Sequence, residues 1–405
     1  MQGNFNMANE INFDNFLSKR GNLEHPWSTI TPPPEGTISF VGGIPDPETL
    51  PLEQIQEAAN HVLTHQGISS LQYAGSFGDI TLREEITKRI LLRHNVELSP
   101  ENIVLTTGSS QALDIVCAAF INPGDVIISE TPTFTGSIWT MHNYGAEIIP
   151  LPIETDGIDI QNLHQTLKSL KAKSVQPKFI YVTPDFQNPT GNRLSLNKRK
   201  QLLILAEEFN TFIVEDTAYA DIVIDGPGLP SLLTLNSERV VQMSTFSKIV
   251  APGLRIGWLC GARNIVNHAS LSRTDMGSSV VISRIIAQFM RQGSLEPHIE
   301  KMKNIYREKR DSVERSLNES LHGMVSWEQP QGGFLLWLET TENIDVTDLW
   351  NLAREEGVGF APGFRFNVNS HEESKGMRLA FSQVSLENIP EGIQRLARAF
   401  EKINK

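Results

Sequence analysis

The chain has 405 residues, is 40% hydrophobic and 20% charged, and carries a formal net charge of −12. That composition suits a globular protein with a large core. The acidic balance argues against nucleic acid or an anionic membrane surface as partner, while leaving room for a local basic pocket. Its two cysteines, Cys117 and Cys260, lie in apolar runs and are too few for a disulfide scaffold or a cysteine-metal cluster. The ten histidines show no ligand spacing, so no metal is expected.

The N-terminus is polar and lacks the basic-then-apolar pattern of a signal peptide. No apolar run approaches the roughly 20 residues that span a bilayer. The expected location is cytoplasmic. Residues 1–36 end in Thr31-Pro32-Pro33-Pro34-Glu35-Gly36 and read as an extended arm, because proline fixes φ and lacks an N–H. His25 and Trp27 in this arm are candidates to touch substrate, or to bind across a dimer surface.

Helical spacing of apolar residues follows over Leu52–Leu63 and Thr81–Arg93. Asn102–Thr107 is a short β-rich run and Gln111–Phe120 a helical one. Further short strands are expected at Asp125–Ser129, Glu147–Leu151, Lys178–Thr183, Phe212–Glu215, Val240–Ser244 and Ile256–Cys260, with helix-length stretches between most of them. Such alternation predicts an α/β fold with a mostly parallel sheet between helices, and ligands at the carboxyl ends of its strands. Beyond about Leu295 a charged helix over His298–Leu321, a run at Gly332–Leu338, a helix at Val346–Glu356 and a strand at Met377–Phe381 suggest a smaller α+β domain. The expected division is an arm (1–36), an N-terminal part of the small domain (37–60), a large domain (61–297) and a C-terminal small domain (298–405).

Four segments carry candidate chemistry. In Ser244-Thr245-Phe246-Ser247-Lys248, a lysine directly follows a buried strand, and burying an ammonium needs compensation, one form of which is an imine with an aldehyde cofactor. The hydroxyls of Thr245 and Ser247, with Arg255 seven residues on, suit a phosphate. A surface lysine at a strand end is the alternative. Thr106-Thr107-Gly108-Ser109-Ser110 joins a strand to a helix start, where free N–H groups gather around an anion or a serine simply caps the helix. Asn188-Pro189-Thr190-Gly191 reads equally as a turn. Asp216, in Glu215-Asp216-Thr217-Ala218-Tyr219, is an acid at a buried strand terminus that needs a cationic or hydrogen-bonding partner, unless it only caps a helix.

Taken in order, these motifs resemble the fold-type I pyridoxal-phosphate (PLP) enzymes, and over about residues 36–400 the chain resembles the class I/II aminotransferases. It is most similar to their 2-aminoadipate/kynurenine aminotransferase-like subgroup, which also resembles the C-terminal domain of MocR regulators. Gly42-Gly43-Ile44-Pro45-Asp46-Pro47, Leu71-Gln72-Tyr73, Thr183–Gly191 and Lys248–Trp258 carry the likeness. The resemblance implies a large domain with a seven-stranded sheet plus a smaller α+β domain, and PLP held by Lys248 as an imine. Lys248 would also shuttle the α-proton. Asp216 would pair with the pyridine nitrogen. Asn188 and Tyr219 would bond the ring oxygen. Gly108, Ser109, Ser110, Thr245, Ser247 and Arg255 would hold the phosphate, with Tyr73 arriving from the partner of a homodimer. Phe134 would stack on the ring. Arg378 would fork the substrate α-carboxylate, with Asn188 and Gly43 beside it.

The chain departs from that pattern in three places. Phe134 stands where tyrosine is common and Thr245 where serine is usual. Ala74-Gly75-Ser76-Phe77-Gly78 replaces Gly-Pro-Thr-x-Gly. The implied activity is ping-pong transfer of an α-amino group from an amino acid to a 2-oxo acid. The alternatives are a PLP-dependent oxidase, lyase or cyclase, and a non-catalytic PLP-binding sensor domain. About 36 polar residues before the fold are too few for a regulator's DNA-binding domain.

Overall fold

A computed structural model describes residues 11–22, 34–342, 344–369 and 374–403. His25 and Trp27 lie outside the described residues. In chain order the elements begin with β1 (Ile38–Ser39), α1 (Leu52–His65), α2 (Ile80–His94), β2 (Ile103–Thr106), α3 (Ser109–Phe120), β3 (Val126–Thr131) and α4 (Thr135–Asn143). They continue with β4 (Glu147–Glu154), β5 (Gly157–Ile158), α5 (Ile160–Ala172), β6 (Phe179–Val182), α6 (Leu196–Glu208), β7 (Phe212–Asp216), α7 (Leu232–Leu235), β8 (Val240–Thr245) and β9 (Gly257–Cys260). The remainder is α8 (Arg263–Ser272), α9 (Val280–Arg291), α10 (Leu295–Ser320), β10 (Val325–Ser326), β11 (Leu335–Thr340), α11 (Val346–Glu355), β12 (Val358–Gly359), β13 (Ala361–Pro362), β14 (Gly376–Ala380) and α12 (Ile389–Ile403).

The central sheet has the order β2-β9-β8-β7-β6-β3-β4-β5. Strands β8, β7, β6, β3 and β4 pair in parallel, whereas β9 runs against both of its neighbours. Two-residue periodicity splits its core between two faces. Ile180, Val182 and Ile213 pack on one side, and Phe179, Tyr181, Val214 and Met243 on the other. The sheet has eight strands rather than the expected seven. The extra one, β5, is a two-residue antiparallel partner of β4, too short to show a period.

Local signals fix the helix ends. Asp79, Asp159, Ser195 and Asp345 each accept backbone N–H groups at the starts of α2, α5, α6 and α11. A second sheet, β10-β11-β14-β13, is antiparallel, and β1 pairs in parallel with β12. Cys117 and Cys260 are free and buried, and burial pushes both thiols up, Cys260 to about 12. No helix among the described residues is long and apolar enough to cross a membrane.

Candidate active site

The polar residues gather where the strands end. Lys248 lies in the turn after β8, and its Nζ donates to the Gly43 carbonyl at 2.7 Å and sits 5.7 Å from the centre of the Tyr219 ring. Burial first, then the nearby Arg378 charge, lowers its pKa to about 8, although Asp216 pulls the other way. An amine so depressed has a substantial neutral fraction near neutral pH, the form that attacks a carbonyl.

Asp216 closes β7 and is buried. Its Oδ1 accepts the Ala218 N–H at 3.1 Å and its Oδ2 the Tyr181 hydroxyl at 3.1 Å. Burial raises its pKa, against the Ala218 and Tyr181 bonds and the Lys248 charge. Its neighbour Glu215 points to the opposite face, where it receives the Leu232 N–H at 2.6 Å, the Leu233 N–H at 3.2 Å and Gln242 Nε2 at 3.0 Å. Thus Glu215, not Asp216, meets the helix N-terminus.

Asn188 lies between two other site residues. Its Nδ2 donates to the Tyr219 hydroxyl at 3.3 Å and its Oδ1 accepts from Arg378 Nη1 at 2.8 Å. Burial pushes Tyr219 up to about 12. The turn bearing Asn188 is clamped from below: Arg199 Nη2 bonds Asp185 at 2.7 Å, Arg193 Nε reaches the same oxygen at 3.0 Å, and Gln187 bonds both Pro132 O and the Thr190 hydroxyl. Arg378, on β14, also donates to Val41 O at 2.5 Å and lies 4.9 Å from the centre of the Phe366 ring. Burial lowers its pKa to about 10.

The anion cradle is next to the lysine. Gly108 adopts φ +82 before α3, and a Cβ there would come within 3.0 Å of Arg255 Nη2. Arg255 donates to Thr107 O at 2.9 Å, and Thr245 Oγ1 lies 2.9 Å from Ser247 Oγ. Ser109 and Ser110 form the first turn of α3, whose N–H groups and dipole favour an anion. Gly257 ties cradle to lysine strand, since a Cβ on it would meet both Ser244 O and Gly108 Cα. Phe134 immediately precedes α4, and Thr133 before it donates its N–H to Phe366 O.

The structure therefore brings together Lys248, Asp216, Tyr219, Asn188, Arg378 and Gly43, with Gly108 and Arg255 adjoining. Tyr73 is not drawn in: it stands 81% exposed on its loop. The sequence reading missed Tyr181, Ser137, Asp185, Gln187 and Phe366. A buried tyrosine inside β6 looks like ordinary core, and its contact with Asp216 exists only because β6 pairs with β7.

An anionic aldehyde fits these residues. The cradle offers cationic and N–H donors, Asp216 offers a buried carboxylate for a ring N–H, and Lys248 offers a depressed amine. The Nε of Arg378 is buried with no hydrogen-bond partner among the described residues, an N–H that a substrate carboxylate would answer. The fold and this donor set define a fold-type I enzyme of the PLP class. The chain belongs to the family described as aminotransferase class I and II, whose sequence profile matches residues 41–396.

It is 34% identical to aromatic-amino-acid aminotransferase 1 of Thermococcus litoralis over 369 residues, covering 90% of this chain and 88% of that one. It is 32% identical to 2-aminoadipate transaminase of Thermus thermophilus over 372 residues, 90% of each chain. The crystal structure of Pyrococcus horikoshii kynurenine aminotransferase, in complex with PMP, KYN and KYA, superposes with a TM-score of 0.91 at 31% identity, covering 97% of this chain and 98% of that one. The protein is a PLP-dependent aminotransferase.

Proposed function

We propose that the enzyme runs a ping-pong transfer on amino acids with large side chains, aromatic or of 2-aminoadipate length, passing the amino group to a 2-oxo acid. Lys248, with its Nζ on the Gly43 carbonyl and under the charges of Asp216 and Arg378, carries this reading. The donor size is supported by what the relatives are named for. Bound PLP supplies an aldehyde for amine exchange and a ring that accepts the electrons of the Cα–H bond.

Arg378 holds the α-carboxylate and, with Asn188, fixes which face of Cα is presented. Lys248 Nζ would take the proton from the substrate Cα and return it two atoms along, to the carbon that carried the cofactor's aldehyde oxygen. Asp216 would hold its charge for the ring nitrogen. Tyr219 and Asn188 would hydrogen-bond the ring oxygen. Phe134 would pack on the ring. Gly108, Ser109, Ser110, Thr245, Ser247 and Arg255 would hold the phosphate.

Tyr73, exposed in one chain, would complete that cradle from a second copy, making a homodimer with shared sites. The divisions at about residues 36, 60 and 297 belong to the same reading, as do a cytoplasmic location, which the two buried free thiols suit, and a role in amino acid biosynthesis. The test mixes the PLP-loaded enzyme with single amino acids and follows cofactor absorbance before any oxo acid is added. Large donors should convert it to the pyridoxamine form, and 2-oxoglutarate should restore it. No conversion with any donor, or oxygen uptake with ammonia release, would replace transfer by oxidation or elimination.

A further inference from the structure

We infer that Tyr181 is a positioning residue for the cofactor, acting through Asp216 in a Ser137–Tyr181–Asp216 chain. The inference rests on the assignment of Asp216 to the pyridine nitrogen. Tyr181 is completely buried in β6, on the sheet face that also carries Val214 and Met243. The register pairs Tyr181 with Val214, two residues before Asp216 on the same face of β7. That offset lets the phenol reach along the strand to the carboxylate.

Proton counting sets the direction of the chain. A phenol has one proton, and the 3.1 Å bond to Asp216 Oδ2 uses it, because Asp216 as carboxylate can only accept. Ser137, 2.8 Å away in the first turn of α4, must then be the donor to Tyr181. Ala218 N–H holds the other carboxylate oxygen. With one donor on each oxygen the carboxylate plane is fixed, and each oxygen keeps an acceptor position. A third donor, the ring N–H, can join without breaking either bond. The ionisable groups facing Asp216 are Glu130 from β3, Tyr181 from β6, Tyr219 from its own loop and Lys248 from the turn after β8. Tyr181 and Lys248 favour its charged form, whereas Glu130, when ionised, opposes it.

Without the phenol, Asp216 is freer to rotate and more basic, and draws the ring proton toward itself. A less positive ring raises the pH at which the lysine-bound cofactor loses its imine proton. The test uses the PLP-loaded enzyme. Tyr181→Phe should shift the pH midpoint of the visible band upward by about half a unit or more, and release cofactor on dialysis about 3- to 10-fold faster. Ser137→Ala should do the same more weakly. Asp216→Asn is the control. If it leaves the midpoint and cofactor retention at wild-type values, the Asp216 assignment fails. If it shifts them and Tyr181→Phe does not, only the Tyr181 role fails. Should Tyr181→Phe not fold, Ser137→Ala decides: wild-type midpoint and release overturn the chain, and a shift in both supports it.

Discussion

Glu215 and Asp216 are adjacent, buried and both acidic, yet they belong to different parts of the molecule. On one face of β7, Glu215 answers two N–H groups at the start of α7 and the amide of Gln242. Its bonds all go to its own fold. On the other face, Asp216 is held by Ala218 and Tyr181 and keeps acceptor capacity toward Lys248 and the site. The pleat alone makes the difference, since successive side chains of a strand leave opposite faces. Burial marks neither as catalytic; what distinguishes them is whether their acceptor capacity is used up within the protein.

The largest expected effect is at the lysine that faces Asp216. Lys248→Ala removes both the imine partner and the proton carrier. Turnover should fall by at least about 10⁴-fold, and the lysine-bound absorbance should vanish. A variant that keeps either would remove Lys248 from the chemistry. Next, Asp216→Asn should lower turnover by about 10²- to 10⁴-fold with the fold intact, measured by steady-state kinetics beside a melting curve. Arg378→Lys keeps the charge but loses the planar fork that bonds Asn188 and Val41 O. Its kcat/KM should fall about 10- to 100-fold, mostly in KM. A change confined to kcat would mean Arg378 does not hold the carboxylate.

Much of this was legible before the structure. Short apolar runs between helix-length stretches locate every parallel strand to within a residue or three, because a parallel sheet buried on both faces needs continuous apolar segments. Lys248 and Asp216 stand out because a charge beside a buried strand needs an explanation, whereas Asn188 reads equally as a turn and Arg378 comes from the resemblance. What stayed hidden depends on pairing between strands. Glu215 and Asp216 look alike until the register with β6 and β8 assigns their faces. Tyr181 carries no pattern different from a core tyrosine, and β5 is too short to have one. Tyr73 belongs to the resemblance alone, since one chain leaves it in solvent.

The comparison also predicts a change in stability with little change in activity. Glu215→Gln leaves the α7 N-terminus with a weaker acceptor and should cost about 1–3 kcal/mol in unfolding free energy, while turnover at saturating substrate stays within about twofold of wild type. A large loss of turnover without a loss of stability would erase the distinction between the two faces.

The smallest effect on activity is expected at Glu130, a third buried acid, on β3. It accepts the Thr183 N–H at 2.9 Å, and burial, helped by the charge of Asp216, raises its pKa to about 8. Its pKa in the unfolded chain is near 4.5. A carboxyl whose folded pKa is raised contributes stability that is fully present below the unfolded pKa and is lost as pH rises through the folded one. Between about pH 4.5 and 8, Glu130 should therefore withdraw on the order of a few kcal/mol as pH increases. Glu130→Gln holds no titrating proton, so unfolding measured by denaturant across this window should show a variant that gains on wild type with each step upward in pH. Turnover near pH 7 should change little, because Glu130 is still largely neutral there and adds no charge beside Asp216. If the two proteins keep a constant stability difference from pH 5 to 8, Glu130 is ionised throughout. Asp216 would then hold its charge against a second buried carboxylate, and the Tyr181 and Ala218 bonds would carry more of that task than the geometry assigns them.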